Sequence, residues 1–80
     1  MSALAEAVQR RVGERVRALR ADRGLTQRQL ADRAHVSRPS IANVEAGRQK
    51  VGLRQLCALA GALGVGVTDL LAEVRDGAAE

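Results

Sequence analysis

The chain contains no phenylalanine, tyrosine or tryptophan. Stacking of unpaired bases on aromatic rings is therefore excluded, and with it the binding mode of most single-strand nucleic-acid proteins. A core must be built from Leu, Val, Ile and Ala. There is a single cysteine, Cys57. One thiol closes no internal disulfide and makes no cysteine zinc site, so a cytoplasmic protein without structural metal is expected. No apolar run approaches the ~18–20 residues of a membrane span. Residues 1–9 lack a charged start followed by an apolar block, so no secretory signal is expected either. What remains is a chain of 80 residues, 46% hydrophobic and 28% charged, the profile of one small domain. A domain of this size buries only roughly 60–65% of its unfolded surface. It has little room for a deep catalytic cleft beside its core.

The net charge of +4 is unevenly spread. Residues 10–54 hold twelve of the thirteen basic residues and carry +8, whereas residues 55–80 carry −3. A basic first two-thirds suggests a polyanionic partner. Twelve of the thirteen cations are arginine, whose planar fork matches phosphate and guanine.

Apolar periodicity reads as helix throughout, with no strand-like alternation. Val8, Val12, Val16 and Leu19 lie on one helical face, which predicts a first helix at about 4–23 ending before Gly24. Thr26 with Gln29 forms a capping box for a second helix at 27–34, with Leu30, Ala31 and Ala34 inward. Ser37 caps a third at 38–45; Pro39, the only proline, fits its first turn, where a missing N–H costs nothing. Leu53, Leu56, Cys57, Ala60 and Leu63 predict a fourth at 53–63 with Cys57 as a small core residue. Val67, Leu70, Leu71 and Val74 predict a fifth at 67–74. The expected layout is an extension of the first helix at 1–9, a domain at 10–74 and a flexible tail at 75–80.

Two short helices joined by a tight turn in a basic all-helical chain describe a helix-turn-helix. The outward residues of the third helix are Arg38, Pro39, Ser40, Ala42 and Asn43. Arginine pairs with guanine O6/N7 and asparagine with adenine N6/N7. No Ser-His-Asp set, glycine-rich phosphate loop, metal-ligand spacing or acid/base carboxylate pair appears. No enzyme activity, cofactor or metal is expected.

The stretches Val12–Arg20, Gly24–Ala31 and Val36–Arg48, with "Leu-Thr-Gln…Leu-Ala…Val-Ser…Ile…Glu-x-Gly" spacing, resemble the phage Cro/repressor-type helix-turn-helix family. The resemblance implies a compact, five-helix, lambda-repressor-like all-α fold. It implies base contacts from Arg38, Pro39, Ser40 and Asn43. It implies phosphate contacts from Gln27, Arg28, Arg48 and Lys50, with Gln27 bracing the base-reading side chains, and an Arg20–Glu45 ion pair. It further implies a cytoplasmic transcriptional regulator binding a palindromic operator in double-stranded DNA as a homodimer. Four departures stand out. Pro39 replaces what is often a polar base contact, so base reading leans more on Arg38 and Asn43. His35 occupies the turn position usually held by glycine. Val51-Gly52 and Gly66 replace residues that commonly cap the last two helices.

Val65, Val67, Leu70, Leu71 and Val74 are numerous for a terminal helix, which places some of them against a second subunit. Three settings share this architecture: a small phage- or plasmid-type repressor, a controller protein of a restriction–modification system, and the antitoxin of a toxin–antitoxin pair, with a toxin or co-regulator as protein partner. The rival from another class is a protein-interaction module working through the fifth helix.

Overall fold

The computed structural model describes residues 2–72. Five helices follow one another: α1 (Ala3–Asp22), α2 (Gln27–Ala34), α3 (Arg38–Glu45), α4 (Leu53–Leu63) and α5 (Val67–Leu71). No strand occurs among the described residues, and no helix there is long and apolar enough to cross a membrane.

Each start has a local cause. The Ser2 hydroxyl accepts from the Ala5 amide at 3.0 Å. Thr26 accepts from the Gln29 amide while the Gln29 side chain accepts from the Thr26 amide, closing the capping box. The Ser37 hydroxyl accepts from the Ser40 amide, and Pro39 lies in the first turn of α3. As their sequence suggests, α4 and α5 start from glycines that supply no side-chain acceptor. Asp69 partly compensates by accepting from the Gly66 amide at 2.9 Å.

The turn between α2 and α3 passes through His35 at φ 59°, ψ 41°. It is the one non-glycine residue with positive φ among those described. Histidine bears this left-handed conformation at a steric cost that glycine escapes.

α1 runs against α3 and α5, and α2 packs on α3 and α4. Val16, Leu30, Ile41, Val44, Leu59 and Leu70 are fully buried between them. The sequence expectation fails on α4 in one respect. Leu59, not Cys57, is inside; Cys57 is exposed, and Leu53 is 74% exposed. The buried stripe runs through Leu56, Leu59, Ala60 and Leu63. At ~100° per residue, Cys57 lies about 100° away from its centre. Val8 is also more exposed than its place in the α1 stripe suggested, because it sits at the open end of a groove. α5 is described only to Leu71; the expected helical continuation to Val74 and the tail at 75–80 lie outside the described residues.

Gly13 sets the spacing of α1 and α3. A Cβ there would stand 2.2 Å from the Val44 carbonyl oxygen and 3.0 Å from that of Glu45. Gly61, within α4, has open space around it. The same substitution should therefore act oppositely at the two sites. Gly13→Ala should lower stability by about 1–3 kcal/mol as the helices are forced apart. Gly61→Ala should raise it by about 0.5–1 kcal/mol through helix propensity. Urea denaturation followed by far-UV circular dichroism measures both, and equal effects would refute the close approach.

Candidate nucleic-acid interface

A chain of polar contacts leads from the interior to the outer face of α3. Arg20, near the end of α1, donates from Nε to Glu45 Oε2 at 2.6 Å and from Nη2 to Oε1 at 3.1 Å. Its Nη1 donates to the Leu25 carbonyl at 2.7 Å, in the link to α2. The side chain of Glu45 is only 5% exposed. Such a carboxylate persists only when opposite charge and hydrogen bonds replace water, and here a bidentate guanidinium does so. The bond to Glu45 raises the Arg20 pKa above its ordinary value, outweighing the lowering effect of burial. A raised value keeps the cation, and the stability it contributes, until strong alkali.

Gln27 extends the chain. Its Nε2 donates to Glu45 Oε1 at 3.1 Å. Glu45 accepts only, so it must face the NH2 end of the amide. The Gln27 carbonyl is thereby turned outward, where it accepts from Arg38 Nη1 at 3.1 Å. Arg38 is exposed.

The other residues proposed from the sequence lie on α2, on α3 and in the segment after it. Pro39 is exposed in the first turn of α3. Asn43 is half-buried on the same helix. Ser40 is half-buried, and its hydroxyl accepts from the amide groups of Gln49 and Gln55. Neither glutamine stands out in the sequence, because both partners lie beyond helical reach of Ser40. Arg28, Arg48 and Lys50 are exposed. Arg17 shares with Arg20, Gln27 and Glu45 an open, polar depression of about 250 Å³ beside α3.

The aliphatic residues suggested as a subunit contact divide. Leu70 is fully buried in the protomer core and is not available to a second subunit. Val65 and Val67 are half-buried against that core. Leu71 is 42% exposed. Val74 lies outside the described residues.

A family model described as "Helix-turn-helix domain" matches residues 11–74. The chain belongs to this helix-turn-helix family, of the Cro/repressor type. Among its relatives, the immunity repressor protein of Bacillus phage phi105 is 45% identical over 62 residues, 78% of this chain and 43% of the repressor. The restriction-modification controller protein C.AhdI from Aeromonas hydrophila superposes with a TM-score of 0.77 at 34% identity. That match covers 80% of this chain and 97% of the controller. The clp gene regulator ClgR from C. glutamicum gives 0.76 at 36% identity, over 80% of this chain and 83% of that one. The chain spans about half the length of the curated relatives it matches. In the helix-turn-helix protein described here, α2 and α3 are the motif.

Removing one partner of the buried pair should unfold this arrangement from its centre. Glu45→Ala leaves Arg20 half-desolvated and releases Gln27. A stability loss of roughly 3 kcal/mol is expected, read as a lower urea midpoint. A loss under 0.5 kcal/mol would mean that the pair contributes no more than a surface ion pair.

Proposed function

We propose that this helix-turn-helix protein is a transcriptional regulator that recognises a palindromic operator in double-stranded DNA. The carrying observation is the outward face of α3. There a guanidinium, Arg38, is braced by Gln27 from behind and has donors to spare. An arginine fixed in this way is preorganised for the O6/N7 edge of guanine. Asn43 on the same helix suits adenine. Pro39 and Ser40 complete the base-facing surface, Ser40 through its O–H alone because its lone pairs are occupied. Arg28, Arg48, Lys50 and the second amide hydrogen of Gln27 serve phosphates. The names of the relatives, a phage immunity repressor and a restriction-modification controller, support this reading.

Two copies would bind with half-sites about one helical turn apart, ~10–11 bp. Val65, Val67, Leu71 and Val74 would form the subunit contact, with Leu70 reserved for the core. Such a regulator works in the cytoplasm.

Selection from random duplex DNA at near-physiological salt tests the proposal. Protein concentration must come from peptide-bond absorbance, as there are no aromatic residues. Enrichment of an inverted repeat is expected; purely salt-labile, sequence-independent binding would favour a protein partner instead. On the selected site, Arg38→Ala should cost about 1–3 kcal/mol and relax one base position in each half-site. Unchanged affinity would remove Arg38 from the reading surface. Leu71→Glu should yield monomers in sedimentation and weaken operator binding; a persisting dimer would move the contact elsewhere.

A further inference from the structure

The segment 46–52 between α3 and α4 carries two outward cations. Its burial alternates: Gly47, Gln49 and Val51 are half-buried, whereas Arg48 and Lys50 are exposed. Whatever holds the inward residues therefore decides where the outward ones project.

Each inward residue has its own fastening. Gln9 of α1 donates from Nε2 to the Gly47 carbonyl at 3.0 Å, beside the helix-ending bond from the Arg48 amide to the Asn43 carbonyl. Val51 packs against the core. Between these two anchors, Gln49 donates from Nε2 to Ser40 Oγ at 2.9 Å. Gln55, in the first turn of α4, donates to the same oxygen at 3.3 Å. A hydroxyl offers two lone pairs and one proton. Both acceptor places of Ser40 are thus taken by amides from the loop and from α4. Ser40 itself belongs to the helix that presents Arg38 and Asn43.

We propose that Ser40, Gln49 and Gln55 form a latch that holds the Arg48–Lys50 segment in register with the outer face of α3. Phosphate-contacting and base-reading groups then approach the duplex as one rigid unit, with the ordering cost met on folding, not on binding. The two glutamines are positioning residues: they are uncharged and act on DNA through Arg48 and Lys50. This inference rests on the DNA-binding reading above.

The test measures affinity for the selected duplex across a salt series, where each neutralised phosphate contributes a slope of about −0.9. The Gln49→Met/Gln55→Met variant keeps side-chain length but loses both donors. It should bind about tenfold more weakly, with the shallower slope of an Arg48→Ala/Lys50→Ala variant and an unchanged base preference. Ser40→Ala should also weaken binding, but with an altered base preference because the O–H offered to a base is lost as well, and Ser40→Thr, which keeps the hydroxyl, should recover both. Adding the methionines to the Arg48→Ala/Lys50→Ala background should have no further effect. Wild-type slope and affinity in the methionine variant would overturn the latch, as would the same fold-loss in both backgrounds. Single Gln49→Met and Gln55→Met variants repeat the comparison should the pair melt early by circular dichroism. If the wild-type protein itself selects no sequence, the DNA-binding reading fails along with the latch; a wild-type motif with indifferent glutamine variants overturns the latch alone.

Discussion

The Arg20–Glu45 pair is the contact on which the remaining structure depends. It joins the last turn of α1 to the last turn of α3, and Arg20 also takes the Leu25 carbonyl in the link to α2. Three elements are thus fixed by two side chains. The pair is affordable because neither ion is left with an unmet polar group: no buried side-chain N or O among the described residues lacks a partner. Gly13 makes the approach possible. It lies seven residues before Arg20 on the same helical face, and its missing Cβ lets the Val44 carbonyl come against the α1 backbone. One residue later in α3, Glu45 is then within reach of the guanidinium.

The network extends outward as well as inward. Through Gln27 the Glu45 carboxylate sets which end of an amide faces Arg38, so an interior ion pair bears on a surface arginine. Networks of this kind polarise their members and hold one geometry better than isolated bonds do. A surface proposed to match the edges of base pairs gains from such stiffness, since an unbraced arginine would lose rotamer freedom on binding. A second surface is different in kind. Val8, Val51, Leu56 and Leu71 border an open groove of about 410 Å³ between the start of α1 and the end of α5. Leu4 and Leu53 are also largely exposed. Gln9 and Lys50 also line this groove beside Val51, so it adjoins the segment that follows α3.

By itself the sequence determined what depends on near neighbours. The bounds of α2, α3 and α4 agree with those read from capping residues and spacing, and α1 differs by one residue at each end. A capping hydroxyl, a proline in a first turn and a glycine after a last turn act across three or four residues, so their consequence can be read locally. The turn at His35, which is left-handed, was marked by the family resemblance, where glycine usually stands. The Arg20–Glu45 pairing entered through family resemblance, because nothing local relates residues 25 positions apart. Tertiary packing alone decided which stripe of α4 turns inward. Leu53, Leu56, Cys57, Leu59, Ala60 and Leu63 offer two overlapping apolar faces, and contact with α2 and α5 selects the one containing Leu59. It also decided that Leu70 belongs to the core while Leu71 faces out. The partners of Ser40 were beyond sequence reasoning altogether, since Gln49 and Gln55 meet one oxygen only after α4 has folded back beside α3.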